Sequence, residues 1–164
     1  MILVMGAKGG VGTTRTALEL IRTGNAIAVD LADGRLAAQL ERATLHLATL
    51  GYASAFEQRL MVDEIIRKGT PLIWTETSPL VSAKIWPALS AIPLRRPVVI
   101  DGGLEPPSAL KPWLQQVIIV SAATDLARQH EQHLVQIFPH AIVIDGTHID
   151  ESRALALQLF QSIH

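Results

Sequence analysis

The sequence predicts an α/β fold: a doubly wound, mostly parallel sheet with helices on both faces. Three observations carry that prediction. Apolar runs without polar alternation, such as Val98-Val99-Ile100 and Val117-Ile118-Ile119-Val120, fit parallel strands covered on both faces. Stretches with apolar residues at helical spacing lie between such runs, so strand and helix alternate and right-handed crossovers are expected. Finally, the segment Met5-Gly6-Ala7-Lys8-Gly9-Gly10-Val11-Gly12-Thr13-Thr14 directly follows the apolar run Ile2-Leu3-Val4. Strand, glycine-rich loop and Thr-opened helix is the layout of a phosphate-binding loop.

In chain order, residues 2–5 read as the first buried strand. Residues 13–23 read as a helix through the spacing of Ala17, Leu18 and Ile21, closed by Gly24 at its C′ position. Ala26-Ile27-Ala28-Val29-Asp30 is a second buried strand ending in an acid. Residues 34–50 look helical, with Leu36, Leu40, Leu47 and Leu50 as a stripe, and residues 53–68 form another helix stopped by Gly69 and Pro71. A short strand at Leu72-Ile73-Trp74 and a helix over 82–91, kinked or divided at Pro87, come next. Val98-Val99-Ile100-Asp101 is a strand followed by two glycines, and a short helix reaches Leu114. The remaining elements are a strand at 117–120, a helix at 125–138, a strand at 141–144 and a helix at 150–163. Without an internal repeat or linker, one domain over 1–164 is expected.

Composition narrows the function. About half of the 164 residues are apolar (49%), only 18% are charged and the net charge is −1, with no Lys/Arg block. General affinity for nucleic acid or anionic lipid depends on clustered positive charge and is not expected. The absence of cysteine excludes disulfides and thiolate metal sites. No apolar run approaches the roughly 18 residues of a membrane span, so a cytoplasmic protein without a membrane span is expected. The His130–His133 pair at i, i+3 lacks a third ligand and reads as surface histidines.

The loop itself carries the chemistry. Glycines permit positive φ, so backbone N–H groups converge on one anion, and the following helix adds its unpaired N–H groups and positive dipole end. Gly9, Gly10, Val11, Gly12, Thr13 and Thr14 are the expected binding residues. A side chain at Gly12 is expected to fill space the phosphates need. Thr14 sits where a hydroxyl ligates Mg²⁺. The lysine expected just before it is replaced by Thr13, and Arg15, one position further, is expected to point away from the phosphates. Three strand ends carry Asp, at Asp30, Asp101 and Asp145, where ligands of such sheets bind. Asp is also a common cap or turn residue after a strand.

Lys8-Gly9-Gly10-Val11-Gly12-Thr13-Thr14 resembles the deviant Walker A loop of the MinD/ParA family of P-loop ATPases, usually KGGxGK[ST]. The resemblance implies a P-loop NTPase-type domain that binds ATP or ADP with Mg²⁺. It makes Lys8 the signature lysine, acting across a homodimer. Val98-Val99-Ile100-Asp101 is similar to the Walker B strand, which makes Asp101 a Mg²⁺-shell ligand beside Thr14. Val29-Asp30-Leu31-Ala32 resembles the family's Val-Asp-x-Asp switch segment, with Asp30 matching its first acid and Ala32 replacing its second. Asp145 falls where the family reads its base with Asn; adenine is implied by the resemblance, and a carboxylate suits guanine as well.

Thr13 and Ala32 depart from the family at catalytic positions, while the loop glycines remain. The expectation is therefore a degenerate MinD/ParA-like nucleotide-binding protein, similar to the CpaE/TadZ branch. It would act as a spatial or assembly factor with a protein partner and with weak or no ATP hydrolysis. The alternative is an active, Mg²⁺-dependent ATPase whose ATP-bound dimer drives partitioning or positioning.

Overall fold

A computed structural model describes residues 1–24, 26–31, 35–40, 45–46, 72–73, 97–104 and 108–161. The predicted α/β architecture is present as a five-stranded sheet in the order β2-β5-β1-β6-β7. These strands are β1 (Ile2–Gly6), β2 (Ile27–Asp30), β5 (Val98–Asp101), β6 (Gln116–Ser121) and β7 (Ile142–Asp145). Every ladder is parallel, with Ile2 opposite Val99 on one side of β1 and Gln116 on the other. A separate parallel pair joins β3 (Leu45–His46) to β4 (Leu72–Ile73), and β4 lies close to β2.

Alternate residues of the central strand serve opposite layers. Ile2 and Val4 join a cluster with Ala17, Leu20, Leu36, Ala156 and Phe160, contributed by α1 (Thr13–Thr23), α2 (Arg35–Leu40) and α4 (Ile149–Gln161). Leu3 and Met5 join a second cluster with Leu110 of a 3₁₀ helix (Ser108–Trp113) and with Ala127 and Leu134 of α3 (Asp125–Ile137). Helices therefore cover both faces, as the unbroken apolar runs require. Among the described residues, Leu3, Met5, Leu20 and Leu36 are the largest fully enclosed side chains, each contributing roughly 1.5–3 kcal/mol of burial.

Helix α1, which opens from the glycine-rich loop, is clamped to α4. Thr16 and Ser152, both fully buried, share a hydroxyl hydrogen bond of 3.0 Å, and Arg153 Nε donates to Glu19 at 3.2 Å. Gly24 ends the helix, as expected, but as its C-cap instead of at C′, with φ −85°. Its glycine is required sterically, because a Cβ there would overlap the Phe160 ring.

The expected bounds of α1 and β5 are those observed, and the other strands of the main sheet shift by a residue or two. The helix expected over 34–50 is a correction. Arg35–Leu40 is helical, but Leu45–His46 is a strand held by its pairing with Leu72–Ile73. Strand pairing there overrides the helical spacing of the leucines. The helices expected over 53–68 and 82–91 lie outside the described residues.

Candidate functional site

The sheet order creates a crevice at one place. From β1 the chain crosses through α1 on one face toward β2, whereas from β5 it crosses through the 3₁₀ helix on the other face toward β6. Neighbouring strands whose connections leave on opposite faces and in opposite directions open a gap beyond their carboxyl ends. A cleft of about 610 Å³ lies there, between the loop after β1 and the Asp101-Gly102-Gly103-Leu104 segment after β5.

Backbone bonds fix its two walls. Gly6 N donates to Gly103 O at 2.9 Å and Gly102 N to Val4 O at 2.9 Å, extending the β1–β5 ladder to the cleft floor. Ala7 N donates to Val120 O at 2.8 Å, tying the loop to β6. His130 Nδ1 lies 2.8 Å from Ala7 O. A carbonyl can only accept, so that ring nitrogen carries the proton. His130 and His133 stack at 6.2 Å, and among the described residues no group of three His, Asp or Glu side chains is arranged to hold a metal.

The loop adopts the conformations its glycines were expected to permit. Gly10 has φ +80° and Gly12 φ +99°, and Gly12 is the N-cap of α1 without a side-chain cap and with no acid in the first turn. The N-terminal N–H groups of α1 are thus left without a capping side chain, beside the cleft. Lys8, Gly9, Gly10, Gly12, Thr13 and Thr14 all line it, with Lys8 exposed, while Val11 is buried against the core beneath. Open space surrounds the Cβ positions of Gly9 and Gly10. At Gly12 a Cβ would instead come within 2.9 Å of Gly146 O, so this glycine is required by the turn behind the loop. Thr13 presses its Oγ1 against Gly6, where any Cβ would overlap it.

The strand-end aspartates have different fates. Asp101 is buried, lines the cleft, and accepts from Gly103 N at 3.4 Å through Oδ1. Asp30 stands beside it in register, but its Oδ2 accepts from Leu36 N at 3.2 Å and supports α2; it is not among the residues lining the cleft. Asp145 lies on a second, smaller cleft of about 360 Å³ with Ser121, Arg128 and Glu131. Its Oδ1 accepts from Thr147 Oγ1 at 2.7 Å and Thr147 N at 2.8 Å, and these bonds hold its carboxyl below the usual carboxylate range.

Several lining residues have no counterpart in the sequence expectation. Arg35 and Gln39, at i and i+4 on α2, face the cleft together, as does the exposed Leu104. Arg15, expected to point away, lines it too, and its Nη2 donates to Gly146 O. The i, i+4 spacing behind Asp30 was available as a signal for Arg35 and Gln39; nothing near Arg15 in sequence announced Gly146. In comparisons with known proteins, no family model, no curated protein and no solved structure matches this chain.

Proposed function

We propose that the chain is a degenerate P-loop domain of MinD/ParA type, which binds ATP or ADP in the cleft between β1 and β5. It serves as a spatial or assembly factor for a protein partner and hydrolyses ATP weakly or not at all. The observation that carries this reading is the loop of positive-φ glycines and the uncapped start of α1, open to a cleft whose opposite wall holds Asp101. Converging backbone donors favour a polyphosphate. The Thr14 hydroxyl and the Asp101 carboxylate, both lining the cleft, are hard oxygen donors suited to Mg²⁺. Mg²⁺ would supply charge neutralisation between phosphate oxygens.

Weak hydrolysis follows from what the site lacks. Transition-state charge at a phosphoryl group is countered by Lys, Arg and Mg²⁺, and position 13 carries a threonine packed against Gly6. Losing one such electrostatic donor costs on the order of 3 kcal/mol in barrier. Asp30, held by α2, braces the fold beside the cleft. Turnover slower than about 1 s⁻¹, measured beside nucleotide affinity, is the expected result; faster turnover stimulated by a partner would favour the active partitioning ATPase.

A homodimer across the cleft face is part of the same proposal. Lys8 and Leu104, a cation and an apolar residue, are both exposed on the cleft wall. Sedimentation with nucleotide should show a dimer that Lys8→Ala weakens. A monomer at tens of micromolar under all conditions would remove this element.

A further inference from the structure

Resting on the nucleotide reading above, we infer that Arg15 is the side chain that takes over, in binding the phosphates and not in their transfer, the contact left open by the threonine at position 13. Arg15 is the third residue of α1, within the first turn after Gly12, and its half-buried side chain lines the cleft. The guanidinium lies across Gly12, where a Cβ would be 3.4 Å from Nη2 and 3.7 Å from Nε. It is thus stationed against the loop whose backbone donors surround an incoming anion.

Its hydrogen bonding is incomplete. Nη2 donates to Gly146 O, while Nε is enclosed by protein and has no hydrogen-bond partner among the described residues. A guanidinium has five N–H donors in a planar fork. No carboxylate forms an ion pair with Arg15 among the described residues. A buried donor without a partner is costly, and an unpaired charge beside it more so. A phosphate in the cleft supplies the counter-charge and accepts from guanidinium N–H groups on the exposed side of this half-buried residue.

The other cations at the cleft fit the role less well. Lys8 is exposed and offers a point charge on a flexible stem, whereas Arg15 is already anchored through Gly146. Arg35 belongs to α2, outside the glycine-rich loop and α1, and has interactions of its own. At Gly12 a Cβ would meet the guanidinium in ordinary van der Waals contact, so the two are neighbours across the loop. A purely structural tie to Gly146 needs only a neutral donor. Charge is what separates the two roles.

The test is calorimetric titration of ADP and, separately, inorganic pyrophosphate into wild type, Arg15→Gln and Arg15→Gln/Thr13→Lys, with thermal melts of each. Glutamine retains a neutral donor for Gly146 O. The expected result is a melting temperature close to wild type, affinity for both ligands reduced about ten- to a hundredfold, and partial recovery in the double variant. On the wild-type protein the Arg15 Nε–H resonance should move on adding pyrophosphate, a readout that does not depend on any variant folding. Undiminished binding by Arg15→Gln, or an Nε–H unmoved at saturating pyrophosphate, would overturn the role of Arg15 and leave the nucleotide reading intact. Pyrophosphate binding that Arg15→Gln loses, with no ADP binding by wild type, would uphold Arg15 and sink the nucleotide reading. Absence of both in wild type would overturn both.

Discussion

The ends of β5 and β7 begin from the same sequence pattern, an apolar strand closed by aspartate and glycine, and finish as opposites. After β5, Gly102 and Gly103 follow; Gly103 takes φ +64° and Asp101 is left on the wall of the larger cleft. After β7, Gly146 is pressed so tightly between Val11 and Val120 that a Cβ would overlap the Val11 carbonyl oxygen. The chain then turns back at Thr147, which donates twice to Asp145, while Glu151 accepts from the Asp145 amide at 3.1 Å. Both aspartates border a cleft, Asp101 the larger and Asp145 the smaller, but Asp145 also closes a turn that starts α4. The two or three residues after a strand-end carboxylate decide which local donors it meets: an amide, from Gly103, at Asp101, and an amide and a hydroxyl, from Thr147, at Asp145.

That contrast can be broken most strongly at Gly12, which joins the two regions through Gly146. Gly12→Ala places a side chain at φ +99° and within 2.9 Å of Gly146 O. Strain of this kind costs about 1–3 kcal/mol. Denaturant unfolding should show that loss, and nucleotide affinity should fall about a hundredfold or more. Unchanged stability would mean that the loop and the β7 turn are not coupled as described.

A pair of substitutions on neighbouring strands sharpens the comparison. Asp101→Asn should lower Mg²⁺-dependent nucleotide affinity about tenfold, with a small change in stability. Asp30→Asn should act the other way, lowering stability by about 1 kcal/mol through the Leu36 N–H bond and leaving affinity within about twofold. Titrations and melts on both would separate the roles; equal effects on affinity would show that Asp30 also serves the ligand.

The smallest effect is expected at Asp145. Its folded pKa lies below its ordinary value because Thr147 donates to the carboxylate. The stability it contributes is therefore present above the ordinary value of 3.8 and lost as pH falls through the lower folded value. Thr147→Ala should flatten the acid side of the stability profile slightly and leave nucleotide binding unchanged. A large loss of binding would return Asp145 to the ligand site.

The main sheet and the start of α1 were legible because each depends on local pattern: an apolar run, a glycine loop, a helical stripe. Residues 13–23 and 98–101 have the expected bounds for that reason. Legibility failed where distant partners decide. The leucine stripe over 34–50 gives way at Leu45–His46 to pairing with β4. Gly24 is explained by a ring on α4 instead of by its own φ. Arg15 reaches a carbonyl 131 positions away. For the site, the loop could be read from sequence, but the cations around the cleft depend on how α2 and the β7 turn are set against it.

The central claim is that the cleft at the ends of β1 and β5 binds a nucleotide, and the most direct measurement is calorimetric titration of ADP and ATP into the wild-type chain with and without Mg²⁺. The predicted result is saturable binding on the order of micromolar to millimolar, tightened by Mg²⁺ through Thr14 and Asp101. No heat and no shift in melting temperature at millimolar nucleotide would contradict it.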